Sequence, residues 1–591
     1  MLVSQVQVRW LLELWYFHFD SSKIFKYYYF IFLTMFPPDP TMKKVFYDIS
    51  VYKEALLKYR SVADLVKKKA EENGDKIWLT FQDGRKFSYK DVNNITDKLA
   101  TGLIHNGIKS GERIAIFSLN SPEWIFSYFS ILKAGAIPVT VNTSFIKDPL
   151  LYNLDQPQAT HIFLDARLLE QYLQIYDRLP RIKTIIVIGE NSNSKLSGIN
   201  AKNLNYNEII KETRPEKLNL LQDWYDPAAM ILTSGTTGKS KVVVETNAQF
   251  IATALDMIDA GGVKPESVVY VFLPLFHIMA LDLATISSMI ANAQMVLVER
   301  LNPTTFWDDM SKYGITHFHA VGPIFEILLK QKPNEKEKNH KEIIAIAYSS
   351  KEIWNMCVER FNIKITGGYG GTEAGIPVTS PYSDVIANQN PLGSCGKPAP
   401  PFEVSIVDQY DNPVKIGEVG EIVIRSKLPW VIFKEYYNME RETLNAFRDL
   451  WFHTGDLGKY DENLNIYFVD RAKDAIRRRG ENISSFEVEQ ILLKHDKIKD
   501  VAIIPLKLDT GDEEVLAIIV PAVNNLTPNE VIDYSIENMP SFWIPNYIIF
   551  LNQLPKTPTG RTEKYKLKEM DKSKAIKMTG YIAEKLSFKK S

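Results

Sequence analysis

The chain has 591 residues, more than one ordinary hydrophobic core organises, so two or more domains are expected. Hydrophobic residues make up 45% and charged residues 24%, as in a soluble globular protein, and a formal net charge of -1 gives no support to nucleic-acid binding as a main role. The two cysteines, Cys357 and Cys395, exclude a disulfide framework and a thiolate zinc cluster, fit a reducing cytoplasm, and read as small buried fillers.

In chain order, the first forty residues differ in character from the rest. Trp10 to Phe19 and Tyr27 to Phe36 are aromatic and apolar, but Glu13, Asp20, Lys23 and Lys26 interrupt them. That leaves no run of the roughly 20 apolar residues that a membrane helix needs. No basic start and no small-residue cleavage site frame a signal peptide. Pro37, Pro38 and Pro40 break any regular element, and Met35 and Met42 both read as starts. Residues 1–41 are therefore read as an extension, loosely packed or outside the native product.

From about Tyr59 the chain alternates β-branched runs with amphipathic stretches. Strands are predicted at Arg113 to Phe117, Ile137 to Val141, Thr160 to Leu164 and Thr184 to Ile188, with helices at Asp91 to His105 and Pro122 to Ala134. This alternation predicts an α/β architecture with parallel-rich sheets. Near Asp470 the character changes. After a strand at Ile466 to Val469 and a basic stretch come a helix at Ser485 to Lys494, strands at Asp500 to Pro505 and Val515 to Val520, a helix at Pro528 to Asn538 and a strand at Tyr547 to Leu551. The division is thus a large N-terminal domain at 42–470 and a small α+β domain at 471–591.

Between apolar Ala228 to Leu232 and Val242 to Val244 lies Leu232 to Lys241, LTSGTTGKSK. Gly235 and Gly238 let backbone amides turn inward, Thr233, Ser234, Thr236 and Thr237 offer hydroxyls, and Lys239 and Lys241 supply charge, as a polyphosphate cradle requires. It is not the common phosphate loop, which needs glycine where Thr233 stands. The plain alternative is a solvated Ser/Gly turn.

Four more segments follow in order: Tyr369 to Glu373 (YGGTE), Trp451 to Gly458 (WFHTGDLG), Asp470 to Ser485 and Leu554 to Arg561 (LPKTPTGR). With the loop, they resemble the adenylate-forming enzymes over roughly residues 60 to 570. The stretches LPLFHI (273–278), IFKEYYN (432–438) and RRGENISSFEVE (478–489) are most similar to the acyl-CoA synthetase branch, in particular carnitine or crotonobetaine CoA ligases and medium- to long-chain fatty acid CoA ligases.

The resemblance implies that a carboxylic acid is activated with ATP and Mg²⁺ to an acyl-adenylate and then transferred to CoA. The acid it implies is fatty or carnitine-like. Loading of a carrier protein without CoA, and nucleotide binding with weak activity, are the alternatives. By the same resemblance, Glu373 holds Mg²⁺ and Thr372 donates to the α-phosphate, Tyr369 stacks on adenine beside Gly368 and Gly370, and Asp456 and Arg471 hold the ribose or phosphate. Lys473 is the hinge of a mobile small domain, Gly480 and Glu481 line the pantetheine passage, and His277, Ile278, Met279, Val321, Gly322, Pro323 and Gly367 form the acyl-pocket wall.

Three departures from the family pattern stand out. The closing motif ends Gly560-Arg561 where lysine is usual, which keeps charge but not shape, with Lys556 and Lys564 as nearby substitutes. Asn247 stands where a gating histidine is usual, and Tyr348-Ser349-Ser350 replaces an adenine-side Gly-Gly-Ala. No cluster of carboxylates along the chain announces a quaternary-ammonium pocket. The tail SFKKS lacks a peroxisomal address, so the expected location is cytoplasmic. A homodimer and peripheral membrane contact are compatible with the sequence; an integral membrane segment is not expected.

Overall fold

The computed structural model describes residues 48–588 apart from 191–195, 197, 217, 219–221, 234–240, 339, 341–342, 349–350, 388, 390, 472–473, 475, 479–480, 484, 508–512, 557–559 and 561. Two large sheets dominate. The first has eight strands in the order Glu435–Tyr436, Lys241–Thr246, Pro227–Thr233, Ile137–Thr140, Arg113–Phe117, His161–Asp165, Thr184–Ile188 and Lys202–Asn205. Its strands from Pro227–Thr233 onward are parallel, and Lys241–Thr246 and Glu435–Tyr436 are added antiparallel at one edge. The second sheet has seven strands and is parallel except at Lys86–Ser88.

Strand periodicity explains how the sheets share cores. In Arg113–Phe117, Ile114 and Ile116 enter one core while Ala115 and Phe117 enter another, as side chains that alternate across a sheet must. The first core also takes side chains from the seven-stranded sheet and from helices Tyr89–His105, Pro122–Lys133 and Asn247–Gly261. Those helices start where the sequence supplies caps. Ser88 forms a capping box with Asp91, Ser121 precedes Pro122, and the Thr246 side chain accepts from the Gln249 amide. Among the described residues no helix is long and apolar enough to cross a membrane.

The predicted elements of the C-terminal region form as a four-stranded sheet, Ile498–Lys507, Glu513–Pro521, Tyr547–Phe550 and Ile576–Lys577, with helices Ser485–Leu492 and Pro528–Asn538 beside it. Both cysteines are buried, and burial pushes each thiol up to about 12, so neither is a nucleophile.

Asp470 ties this region to the strand before it. Its Oδ2 accepts from Ser485 N and Oγ, both at 2.6 Å, and from Phe486 N at 3.4 Å, which caps the helix Ser485–Leu492. Because the carboxylate is buried, Asp470→Ala leaves several donors unpaired and is expected to destabilise the fold by about 1–3 kcal/mol, read as a lower midpoint in thermal unfolding. An unchanged midpoint would show that the clasp is incidental.

Candidate active site

The glycine-rich stretch joins an antiparallel hairpin whose last paired residues are Thr233 and Lys241. The strand, loop, strand expectation holds for these two arms; Ser234, Gly235, Thr236, Thr237, Gly238 and Lys239 lie outside the described residues. Lys241 Nζ lies over the Tyr436 ring, 4.1 Å from its centre. Tyr436 is placed by the two-residue strand Glu435–Tyr436, which pairs with Val243 and Val244. Its hydroxyl donates to Glu373 Oε1 at 3.0 Å.

Glu373 sits in the turn between strands Gly368–Gly371 and Gly375–Thr379 and is fixed at its main chain by Phe433 N, which donates to its carbonyl at 2.7 Å. Burial raises its carboxyl above the usual range, against the Tyr436 hydroxyl and the charges of Lys241 and Arg471. Beside it, buried Thr372 presents a carbonyl that accepts from Gln249 Nε2 at 2.8 Å. Gly370 is required by this turn itself, because a Cβ there would stand 1.9 Å from the Gly375 carbonyl oxygen.

A second group adjoins. Tyr369 is buried, its ring stacks on Phe468 at 6.3 Å and 26°, and its hydroxyl donates to Asp456 Oδ2 at 2.9 Å. Asp456 and Arg471 are directly opposite on strands Trp451–Tyr460 and Ile466–Arg471, with Arg471 Nε 3.3 Å from Asp456 Oδ1. One face of Tyr369 is thus already occupied by Phe468. Arg471 is shared, since its charge acts on both Asp456 and Glu373.

The stretch that carries His277 and Ile278 is pinned from the eight-stranded side. Asn120 accepts from Leu275 N at 2.8 Å and donates to Leu273 O at 2.9 Å, and Thr140 Oγ1 donates to Phe276 O at 2.9 Å. His277 is half-buried against Phe276 and precedes the short helix Ile278–Ala280. Val321 ends the strand His317–Val321, and Gly322 starts the helix Gly322–Leu329. Gly367 packs so closely that a Cβ would meet Ser394 O at 2.3 Å.

Lys473, Gly480 and Arg561 lie outside the described residues, as do Ser349, Ser350 and the side chains of Glu481, Tyr348 and Pro323. Asn247 is no gate: its Oδ1 accepts from Val62 N at 2.9 Å, and its Nδ2 donates to Asp223 O and Asp226 O at 3.1 and 3.0 Å. An amide can satisfy all three where an imidazole cannot. Lys564 is bound by Ser485 Oγ at 2.5 Å and Glu489 at 2.8 Å, and Lys556 by Asp500 at 2.5 Å, so neither is a spare cation in this arrangement. The chain order hid Tyr436 and Gln249; only the IFKEYYN stretch hinted at the first.

Three carboxylates scattered along the sequence, Glu245, Asp256 and Asp282, are buried in the fold, and Glu245 reaches Gln249, which bonds the Thr372 carbonyl. They do not form a metal cage, as no group of three or more His, Cys, Asp or Glu side chains among the described residues could hold a metal ion. That finding also bears on Glu373. Mg²⁺ keeps most of its coordination for water and phosphate oxygens, so one oriented carboxylate suffices, and Glu373 held by Tyr436 fits the requirement. Asp456, a carboxylate that already accepts a hydroxyl, fits a ribose edge.

A sequence model of the family described as AMP-binding enzyme matches residues 66–437. The chain belongs to this family. The model of the AMP-binding enzyme C-terminal domain matches residues 487–561. Among curated relatives, the crotonobetaine/carnitine–CoA ligase of Citrobacter koseri is 29% identical to the enzyme over 514 residues, 84% of this chain and 97% of the relative. That of Salmonella typhi is 29% identical over 512 residues, with 84% and 96% covered.

Among solved structures, the anthranilate CoA ligase AuaEII with anthranoyl-AMP superposes with a TM-score of 0.77 at 23% identity, covering 86% of this chain and 97% of that one. ATP-bound MatB from Rhodopseudomonas palustris gives 0.74 at 21% identity, with 86% and 98% covered. MenE from Bacillus subtilis with ATP and magnesium gives 0.73 at 22% identity, with 85% and 99% covered. These structures establish the fold, a large α/β N-terminal domain and a small C-terminal one. The sequence-based reading as an AMP-forming ligase of the acyl-CoA synthetase branch accords with the family and its relatives.

Proposed function

We propose that the enzyme couples a carboxylic acid to CoA at the expense of ATP, with AMP and pyrophosphate as the other products. The acid is fatty or carnitine-like, and the reaction takes place in the cytoplasm. One observation carries this reading: Lys241, Glu373, Asp456 and Arg471, from four separated segments, meet through Tyr436 and Tyr369 at one place.

An acid carboxylate and a triphosphate repel, so a site that joins them needs fixed donors and cations before the reactants arrive. The acid oxygen attacks the α-phosphorus, the bond to the β-phosphate bridging oxygen breaks, and pyrophosphate leaves. The CoA thiolate then attacks the acyl carbon and expels AMP. Here Thr233, Lys241 and residues 234–239 hold the outer phosphates, Thr372 donates to the α-phosphate, and Glu373 holds Mg²⁺. Asp456 and Arg471 take the ribose, and Tyr369, with Gly368, faces the base. Arg561 supplies the cation that bridges carboxylate and phosphate. The small domain, 471–591, turns about Lys473 between the two half-reactions, bringing Gly480 and Glu481 to the pantetheine arm.

The test is incubation with ATP, Mg²⁺ and a panel of acids, with and without CoA, following AMP and pyrophosphate. Acid-dependent release of both and a CoA thioester are expected. Release that CoA does not increase would favour carrier-protein loading, and no release with any acid class would overturn the reading.

A further inference from the structure

Antiparallel strands in regular register pair their amides across the ladder, so residues inserted into one strand leave amides that must find other acceptors. The strand Trp451–Tyr460 carries such an insertion, and Asp456 lies in it. Against Gly420–Ser426, Glu421 pairs with Leu457 and Val423 with His453, so Ile422 alone stands opposite Thr454, Gly455 and Asp456. A bulge of this kind re-aims a side chain, and here that side chain is the Asp456 carboxylate.

Side chains close the bulge. Thr454 Oγ1 donates to Ile422 O at 2.6 Å and accepts from Asp456 N at 3.1 Å. Gly455 has a left-handed φ of 70°, which glycine adopts without strain, and its amide donates to Glu421 Oε1 at 3.0 Å. The two amides at the crest therefore end on a hydroxyl and a carboxylate.

Glu421 is itself held from behind. Its other oxygen, Oε2, lies 2.9 Å from His453 Nδ1 and 3.4 Å from Arg448 Nη2. Arg448 ends the short strand Phe447–Arg448 and is fixed in turn by Asp411, whose carboxylate accepts from Nε at 3.1 Å and from Nη2 at 2.9 Å. One oxygen of Glu421 thus faces Arg448 and His453, and the other faces the bulge amide. A carboxylate engaged at both oxygens has little freedom to rotate, and its charge strengthens the bond to the amide.

An exposed ion pair alone contributes little to stability, and Arg448 already has Asp411. What Glu421 adds is a grip on Gly455, one residue before Asp456. On its far side Asp456 is opposite Arg471, and its Oδ2 accepts from the Tyr369 hydroxyl. Those contacts fix the tip of the side chain, and Glu421 fixes the main chain that carries it.

We propose that Glu421 is a positioning residue for the nucleotide: through the Gly455 amide it holds the bulge in the shape that sets the Asp456 carboxylate against both ribose hydroxyls. The inference rests on the reading above in which Asp456 takes the ribose. It adds a residue from a strand that carries none of the other site groups.

The test is calorimetric binding of AMP and of 2′,3′-dideoxy-AMP to the full-length protein, a comparison that needs no knowledge of the acid. Removing hydroxyls that bond a carboxylate is expected to weaken binding to the wild type roughly tenfold or more. Glu421→Ala should bring that ratio down to about threefold or less, because a carboxylate displaced by part of an ångström no longer meets both hydroxyls. Glu421→Asp keeps the charge but withdraws the acceptor by one methylene, so it should act likewise, and it carries the test if the alanine variant fails to fold. Glu421→Gln still offers an oxygen to the Gly455 amide and should retain most of the wild-type ratio. A role confined to stability would weaken both nucleotides alike and leave the ratio at its wild-type value in every variant. That result overturns the inference while the ribose reading of Asp456 survives. A wild-type protein that binds the two nucleotides equally overturns the ribose reading, and the inference falls with it.

Discussion

Glu373→Gln is expected to lower acid-dependent pyrophosphate release by roughly a hundredfold or more, with the fold intact. The amide keeps the shape of the carboxylate and still offers an oxygen to the Tyr436 hydroxyl, so the turn held by Phe433 should not move. What disappears is the one negative oxygen that a divalent cation beside the phosphates would find on this turn. Tyr436→Phe removes only the orienting hydrogen bond and should cost about threefold to tenfold, the usual worth of one such bond. Initial rates over a Mg²⁺ titration are the measurement. A Glu373→Gln enzyme with wild-type rate at every Mg²⁺ concentration would remove this residue from the site.

Replacing Arg561 should have the next largest effect. If it is the cation that bridges acid and α-phosphate, Arg561→Ala lowers the first half-reaction by about a hundredfold. Arg561→Lys raises it above wild type, because a compact ammonium approaches two anions more closely than a planar fork. The structure strengthens this expectation by elimination, since Lys564 is bound by Ser485 and Glu489, and Lys556 by Asp500. Single-turnover formation of acyl-adenylate isolates the step. An unchanged rate in Arg561→Ala would show that this side chain is not the cation.

Much of the architecture was readable because periodicity and caps act locally. Arg113–Phe117, Thr184–Ile188 and Pro528–Asn538 form with the predicted bounds, and Tyr89–His105 begins two residues early, where Ser88 and Asp91 form the capping box. The division of the parallel strands into two sheets was not readable, because it depends on which helix covers which face. The same limit governed the site. Glu373, Asp456 and Arg471 lie in motifs, so their roles could be expected before their contacts were seen. Tyr436 is brought in by a two-residue strand too short to leave a pattern, and Asn247 is engaged by residues 185 and about 20 positions away. The acids were hidden most deeply. Glu245, Asp256 and Asp282 are separated along the chain and look like single surface charges until the packing of helix Asn247–Gly261 shows all three to be buried.

The short strand Glu435–Tyr436 has one more consequence. Without it the sheet would have seven strands, with Lys241–Thr246 outermost, a row of open amides and carbonyls beside three consecutive valines. Such an edge is a template for pairing with another chain. Two residues are too short to offer a replacement edge, yet they cover Val243 and Val244. The segment that aims a tyrosine at Glu373 thus also closes a sheet edge that would otherwise be open to another strand.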